Sequence, residues 1–296
     1  MKKFFLLAAV AMFAFAACDD PANEGNDPKN DVPEVKTCAE NLVAYFPLES
    51  AENAVKAEGI TFNSKVGAAD FKTGEIGKGY SNTAGNNDEA YFKFNLAKEN
   101  ALSSLKDVTI TLWAKNIEEF SKGGLFSVNG KLFEKQDWPS FVIYFDNKGT
   151  VKDEAGEDTG VKTQQINGRI MFKKDDGSET NLWLETWDPA FAKYATWFQI
   201  AFTYVAETGV WALYVDGVKV KDAEYGDKMD FGKCIPADAN TFYLGGWSSW
   251  IEKYQGAADW QTYFAGSIDE IRIFNKALTE EEIQALRKEE LAIALS

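Results

Sequence analysis

A tryptophan-rich segment at residues 245–260, GGWSSWIEKYQGAADW, holds the residues of this chain whose types best suit ligand binding. Indole rings stack on the apolar faces of sugars, and short polar side chains beside them can satisfy sugar hydroxyls. The segment therefore supplies four candidate ligand-binding residues, Trp247, Trp250, Tyr254 and Trp260. The alternative is that some of these tryptophans only cover one end of the fold, because large aromatic side chains are mostly buried.

Two further candidates lie outside this segment. Trp138 stands in the polar stretch KQDWP, which indicates an exposed aromatic side chain. Glu185 belongs to NLWLETW and shares a strand face with Trp183 and Trp187. Glycoside hydrolysis needs two carboxylates roughly 5–10 Å apart, and Asp188 points to the other face. The spacing therefore favours sugar binding over cleavage, although a second acid from another strand stays possible.

A third feature is the carboxylate of Asp269 near the end of the chain. The segment SIDEIRIF alternates with period two, which predicts a strand with Asp269 on the same face as Ile271 and Ile273. Burying a bare charge is costly, so Asp269 should meet hydrogen-bond donors or a cation there. The strand leads into a predicted helix, because Thr279 and Glu282 have the spacing of a capping box.

Bulk composition limits the classes of function. The 296 residues are 45% hydrophobic and 14% aromatic, enough for a large core, and the formal net charge is −15. So acidic a chain is a poor partner for nucleic acid or an anionic membrane surface. Histidine is absent from the sequence, which excludes Ser-His and Cys-His nucleophilic catalysis and His-ligated zinc.

The first residues read as a targeting signal rather than as part of a fold. Residues 1–17 combine a basic start with an apolar run too short to span a membrane comfortably, which predicts a cleaved signal peptide. The motif AFAAC resembles a bacterial lipobox, and this resemblance implies that Cys18 is lipidated. Residues 18–37 are polar and proline-containing, so we expect a disordered tether followed by one domain at 38–296.

The remaining cysteines are Cys38 and Cys234. An even number of thiols in an oxidising compartment predicts a disulfide between them, and two unpaired buried thiols are the alternative.

The body of the chain predicts an all-β fold. About a dozen segments are rich in aromatic and β-branched residues, and they are separated by glycine-rich or acidic turns. Asp216 and Gly217 between two of them form a tight-hairpin signal. The charged insert at 151–162 predicts a solvated loop.

Several of these segments resemble, in order, the blocks of laminin-G-like, concanavalin A-like sandwiches. The blocks are LVAYFPL, GEIGKGY, VTITLWAK, WFQIAFTYVAETGVWALYVDG, TFYLGG and FAGSIDEIRIFNKALTEEEI. The resemblance implies a jelly roll of two antiparallel sheets with a short C-terminal helix. It also implies that the first and last strands are neighbours in one sheet.

The same resemblance implies a structural calcium ion. In many members an aspartate near the start of the closing strand binds calcium with acids of the loop after the first strand, and Asp269 matches that aspartate. The loop departs from the usual Asp-x-Ser-Gly, since this chain has ESAE, and Glu49 is the substitute ligand. Calcium takes six to eight oxygens, so further ligands would be needed. The alternative is that Asp269 accepts hydrogen bonds from loop amides.

The expectation for function follows from these features together. Acidic residues directly after Cys18 resemble the surface-export signal of Bacteroidetes-type lipoproteins, which predicts an outer-membrane, cell-surface protein attached to the membrane only through its lipid. Sandwiches of this kind commonly recognise glycans, so we expect a non-catalytic carbohydrate-binding module. A glycoside hydrolase and a protein–protein adhesion module are the alternatives.

Overall fold

The aromatic and β-branched segments of the chain form two antiparallel sheets. The structure is a computed structural model and describes residues 34–117, 123–186 and 196–296. The signal peptide, Cys18, most of the tether, Trp187 and Asp188 lie outside these residues. All described residues belong to one compact unit. The boundaries expected at residues 17 and 37 stay predictions.

The described residues contain sixteen strands, most of them close to the predicted segments. They are β1 Leu42–Phe46, β2 Lys56–Ala57, β3 Ile60–Gly67, β4 Asp70–Thr73, β5 Lys78–Asn82, β6 Ala90–Leu96, β7 Val108–Asn116, β8 Gly123–Val128, β9 Phe141–Lys152, β10 Asp158–Lys173, β11 Glu179–Glu185, β12 Phe198–Val205, β13 Val210–Val215, β14 Val218–Glu224, β15 Thr241–Leu244 and β16 Gly266–Phe274. The α-helices of this part of the chain are α1 Ser248–Ile251 and α2 Glu280–Ala294. Across these residues, none of the helices has the length and apolar character that a membrane span requires.

The two sheets have the topology expected of a jelly roll. The first sheet runs β14-β13-β12-β7-β16-β1-β2, with β5 also beside β16 and β4 beside β5. The second sheet runs β11-β10-β9-β8-β15-β6-β3. The first and last strands pair antiparallel, with Tyr45 opposite Arg272. The predicted all-β, concanavalin A-like sandwich with a short C-terminal helix is confirmed.

The core between the sheets is rich in phenylalanine. Phe242 of β15 stacks on Phe94 with ring centroids 4.5 Å apart and on Phe126 at 4.9 Å. Phe46 of β1, from the facing sheet, meets Phe242 edge-on at 5.3 Å. All four rings are fully buried, so the second sheet turns one face to the core and the other face outward.

Helix α2 covers the outer face of the first sheet. Thr279 and Glu282 form the predicted capping box, with both reciprocal hydrogen bonds present. Ile283 and Leu286 pack on Phe274 of β16. The helix therefore buries an apolar edge against the sheet, as its sequence predicts.

The face assignment of Asp269 is wrong, because β16 contains a bulge. The register against β7 shifts between Asp269 and Arg272, and Glu270 has a left-handed φ of 50°. The bulge places Ile268, Ile271 and Ile273 together in the core. Asp269, opposite Trp113, lies on the other face, under the loops that flank β16.

The charged insert is also different from the prediction. Instead of a loop throughout, β9 and β10 continue through it as a long hairpin, with Lys152 opposite Asp158. Backbone pairing with a neighbouring strand thus outweighs the charged composition that predicted a solvated loop.

The expected disulfide is not formed. Cys38 and Cys234 are both free thiols. Cys234 is fully buried in the core between the sheets, whereas Cys38 packs against the separate apolar cluster under α2. A bond between them is prevented because the thiols belong to different layers of the fold. Burial raises the pKa of the Cys234 thiol, as expected of an unreactive core cysteine.

Candidate functional site

Four tryptophans meet on the outer face of the second sheet. We call them the indole cluster: Trp138, Trp183, Trp247 and Trp260. The ring centroid of Trp138 lies 5.1 Å from that of Trp183 and 5.2 Å from that of Trp260. The centroid of Trp247 is 5.4 Å from Trp138 and 5.5 Å from Trp260. Residues from three separate segments of the sequence are thus brought together.

Two loops hold the cluster in place through buried hydrogen bonds. Gln136 Oε1 accepts from the amide of Leu132 at 2.7 Å, and its Nε2 donates to the carbonyl of Trp138 at 2.7 Å. Ser248 Oγ donates to the carbonyl of Val128 at 2.7 Å. Ser249 Oγ likewise donates to Gln261 Oε1 at 2.9 Å, so the two serines of the tryptophan-rich segment anchor the loop rather than being free for a ligand.

The predicted aromatic residues differ in exposure. Trp247 is only 1% exposed and packs on Tyr144, so it supports the cluster from below. Trp138, Trp250 and Trp260 are partly exposed and pack around it. Tyr254 is buried, and its hydroxyl donates to the carbonyl of Gly130 at 2.9 Å. Tyr254 therefore lies at the neighbouring loop, outside the cluster.

The sheet beneath contributes a polar row that the sequence did not indicate. Asn167 of β10 lies between Tyr144 of β9 and Glu185 of β11. The next pair along β10 places Arg169 opposite Trp183. The Arg169 guanidinium lies 4.6 Å from the ring centroid of Trp138 and 4.9 Å from that of Trp183, so it makes cation–π contacts with both indoles.

Several buried polar atoms on this face make no hydrogen bond to any described residue. They are Tyr144 Oη, Asn167 Nδ2, Arg169 Nη1, Trp183 Nε1, Trp247 Nε1 and both side-chain polar atoms of Gln165. Buried polar groups in proteins are nearly always hydrogen-bonded, so such a concentration marks a place for ordered water or a ligand. The alternation of Gln165, Asn167 and Arg169 with apolar residues was the available signal, but alternation alone also describes an ordinary solvated strand face.

The electrostatics of the site follow from burial. Burial raises the pKa of Tyr144, and the nearby acids Asp146 and Glu185 add to the rise. Asn167 and Trp183 lie close enough to oppose this rise, without completing a hydrogen bond to the hydroxyl. Burial also lowers the pKa of Arg169 from its usual value. A neutral tyrosine and a poorly solvated cation therefore lie side by side.

The second predicted site lies at the bulge of β16. Asp269 Oδ2 accepts from the amides of Glu75 and Ile76, at 2.8 and 2.9 Å. Glu49 Oε2 accepts from the amide of Lys78 at 3.0 Å. Both predicted metal ligands therefore contact one turn, whose Gly77 has a φ of 59° and no room for a Cβ beside Glu49. Asp269 does accept hydrogen bonds from loop amides, as the alternative reading expected.

Each of these two carboxylates keeps one buried oxygen without a partner, Asp269 Oδ1 and Glu49 Oε1. Burial raises the pKa of Asp269 well above its usual range, and Glu270 and Glu49 add to the rise. Carboxylate oxygens of this kind suit a calcium ion. Within the described ranges, however, three or more Asp, Glu or Cys side chains are nowhere grouped around one point. The protein side chains would thus supply two ligands, and backbone carbonyls or water the others.

Comparison with known proteins gives a fold and a family. No curated protein sequence matches this chain. Among solved structures, the botulinum neurotoxin type G receptor-binding domain is 13% identical with a TM-score of 0.50, and the match covers 84% of this chain and 51% of that one. Domain 4 of the Geobacillus stearothermophilus arabinanase, in complex with arabinotriose, is 18% identical with a TM-score of 0.47, over 83% and 98% of the chains. The Ruminococcus gnavus sialidase module bound to sialyllactose is 18% identical with a TM-score of 0.42, over 62% and 83%.

These likenesses concern the fold. A family model described as the concanavalin A-like lectin/glucanases superfamily matches residues 85–284, which is more than half of the chain. The matched residues include β6 to β16, the indole cluster and the start of α2. The chain belongs to the concanavalin A-like lectin/glucanases superfamily.

Proposed function

We propose that this protein is a cell-surface lipoprotein whose sandwich domain binds a glycan on the outer face of its second sheet without cleaving it. The carrying observation is that the partly exposed indoles of Trp138, Trp183 and Trp260 lie beside buried polar atoms that have no hydrogen-bond partner among the described residues. A sugar site has two components, aromatic rings that stack on the sugar and polar groups that bind its hydroxyls. Membership of a superfamily of lectins and glucanases agrees with this function as an analogy of fold.

The test is binding of the full chain to a glycan array and to polysaccharide-containing affinity gels. We expect Trp138→Ala and Trp260→Ala to weaken binding about ten-fold or more, because each removes a stacking surface. Trp247→Ala is less useful, because this buried ring supports the fold. The matched control is Trp197→Ala. Trp197 is also partly exposed, but it precedes β12 of the first sheet and contacts Lys115 there, outside the indole cluster.

Two results would contradict the proposal. One is that no glycan binds, and the other is that both cluster variants bind as tightly as the parent. Binding to other proteins that survives an excess of free sugar would instead support the adhesion alternative.

A glycoside hydrolase is a second candidate, because the structure supplies an acid that the sequence could not place. Asp146 of β9 and Glu185 of β11 both lie near the Tyr144 hydroxyl and raise its pKa. Two acids on one sheet face are the basic requirement for glycoside hydrolysis. Release of reducing sugar by the parent, lost in Glu185→Gln and in Asp146→Asn, would establish this function. Intact glycan after prolonged incubation would exclude it for the glycans tested.

We also propose a calcium ion beside Asp269 and Glu49, where each carboxylate has an unpaired buried oxygen. A bound cation would offset the repulsion among Asp269, Glu49 and Glu270, so calcium should raise the melting temperature. The measurement is thermal unfolding with calcium and with a chelator, for the parent, Asp269→Asn and the control Asp222→Asn on an exposed strand. A parent melting temperature that is the same in calcium and in chelator would overturn this proposal.

The lipid anchor is tested separately. We expect Cys18→Ser to lose incorporation of labelled palmitate and to release the protein from the membrane fraction. A mutant that still fractionates with the outer membrane and is still labelled would contradict the lipobox assignment.

A further inference from the structure

We propose that the glycan bound at the indole cluster carries an oxyanion, a carboxylate or a sulfate, and that Arg169 is the residue that binds it. This inference rests on the proposed glycan-binding function and names the chemical class of its ligand. An acidic sugar, rather than a neutral one, would be the preferred occupant.

Among the described residues, Arg169 has no anionic partner. Its Nε and Nη2 atoms both donate to the amide oxygen of Asn181, at 3.2 and 2.9 Å, and its Nη1 atom has no partner. The residue is only 6% exposed, and it forms no ion pair with any residue in the described ranges. Glu179 and Asp137 act on it electrostatically without such a contact. Burying an uncompensated cation is costly, so an arriving anion would be stabilised strongly.

The surroundings leave one edge of the guanidinium for a ligand. The ring centroids of Trp138 and Trp183 lie 4.6 and 4.9 Å from the guanidinium and only 5.1 Å from each other, so the two indoles contact it from the same side. Asn181 occupies the edge formed by Nε and Nη2, which leaves the Nη1 atom for a ligand. A planar guanidinium matches a planar carboxylate group and also binds sulfate oxygens. Because its plane is already fixed, less side-chain entropy is lost when the ligand binds.

Most of the neighbouring unpaired atoms are also donors. The indole nitrogens of Trp183 and Trp247 can only donate, and so can the Asn167 Nδ2 atom. An ionised carboxylate or a sulfate only accepts, whereas each sugar hydroxyl brings a hydrogen that also needs an acceptor. Among the unpaired atoms on this face, Gln165 Oε1 only accepts and Tyr144 Oη does both, so donors still outnumber acceptors and favour an acceptor-only group.

The adjacent row of the sheet carries acids. Glu185 lies opposite Asn167, and both Glu185 and Asp146 lie close enough to Tyr144 to raise its pKa. These acids would repel an oxyanion and attract hydroxyl donors. An acidic sugar would therefore lie with its charged group towards Arg169 and its hydroxyls towards Glu185.

The experiment compares acidic glycans with neutral counterparts of the same backbone by calorimetry of the full chain. The pairs are polygalacturonate and its methyl ester, sialyllactose and lactose, and carrageenan and desulfated carrageenan, so carboxylate and sulfate are separate arms. We expect one acidic member to bind roughly ten-fold or more tightly than its counterpart. Added salt should weaken that binding but leave binding of the neutral counterpart unchanged.

Variants then test the residue. We expect Arg169→Met to lose the preference for the acidic member, and Arg169→Lys to recover only part of it because lysine lacks the planar fork. Lys173→Met is the control, since it removes a positive charge four residues along the same strand, at an exposed position. Circular dichroism and thermal unfolding check that each variant is folded, and the salt dependence of the parent needs no variant.

The outcomes separate the two proposals. Equal affinity for acidic and neutral members, or an unchanged preference in folded Arg169→Met, overturns the oxyanion assignment and leaves glycan binding in place. Absence of binding to every glycan in both the array and the calorimetry overturns both proposals.

Discussion

At the scale of single residues, the described part of the molecule contains buried charges that are paired and buried charges that are not. Arg272 is fully enclosed between Glu270 and Glu290 and makes ion pairs with both. Glu290 also accepts hydrogen bonds from Trp113 Nε1 at 2.7 Å and Gln199 Nε2 at 2.6 Å. Two carboxylates share one guanidinium under α2, so one of them is poorly compensated when both are ionised.

This shared guanidinium predicts a pH dependence of stability. Burial raises the pKa of Glu290 to about 7, Glu270 adds to the rise, and Arg272 opposes it. The folded protein therefore holds a proton that the unfolded chain releases above its ordinary pKa of 4.5. The resulting stabilisation is complete below that pKa and is lost as the pH rises through about 7. We expect the free energy of unfolding to fall by on the order of 2 kcal/mol between about pH 5 and about pH 8.

Urea unfolding at the two pH values measures this change. Glu290→Gln keeps the uncharged form and should reduce the pH dependence, whereas Glu281→Gln on the exposed face of the same helix should not. An equal pH dependence in the parent and in Glu290→Gln would show that another group carries the proton.

Residue types alone predicted part of the candidate site. Trp138, Trp247 and Trp260 were identified because aromatic residues in polar loops are unusual, and the structure brings them together. Arg169 and Asn167 were missed, because a buried polar strand face and a solvated one have the same alternation. Whether a strand face is buried depends on the loops that cover it, and the sequence of the strand does not specify the course of those loops.

At the scale of elements, the bulge in β16 determines on which face of the strand Asp269 lies, and the alternation of the sequence did not predict it. A regular strand would have placed Asp269 in the core with Ile271, whereas one extra residue at Glu270 turns it to the opposite face. The edge of β16 is shared by two strands, with β5 beside its first half and β1 beside its second. The bulge lies between these two pairings, so the carboxylate faces the turn that precedes β5.

Helix α2 is the element whose local sequence predicts its structure best. Thr279 Oγ1 accepts from the amide of Glu282 at 3.3 Å, and Glu282 Oε2 accepts from the amide of Thr279 at 2.9 Å. We expect Thr279→Ala to reduce the free energy of unfolding by about 1 kcal/mol, because the first turn loses its cap. Thr279→Ser should retain most of the stability. Equal losses in both variants, measured by urea unfolding, would show that packing rather than the hydroxyl is responsible.

At the scale of the whole molecule, the fold was predictable because its signals agree with one another. Hairpin signals, aromatic strands and the order of the family blocks all indicate one antiparallel sandwich, and each strand needs only to bury one face. The site was less predictable, since it is assembled from β9, β10, β11 and two loops that are distant in the sequence.

The core offers a test of how the sheets depend on one another. Phe242 contacts rings from both sheets, including Phe46 of the first. We expect Phe242→Ala to cost about 3–5 kcal/mol of stability and Phe242→Leu less, because the cavity is smaller. Urea unfolding followed by far-ultraviolet circular dichroism and by fluorescence should show one transition in Phe242→Leu. Two separate transitions would mean that the sheets unfold independently.

The closeness of the four indoles has an optical consequence. Within the described residues, four tryptophans lie with neighbouring ring centroids between 5.1 and 5.5 Å apart. At such separations their electronic transitions couple, so the cluster should dominate the near-ultraviolet circular dichroism of the folded protein. Because Trp138 and Trp260 are also the rings that a sugar would touch, occupancy of the site should be readable from the protein's own spectrum, without any label.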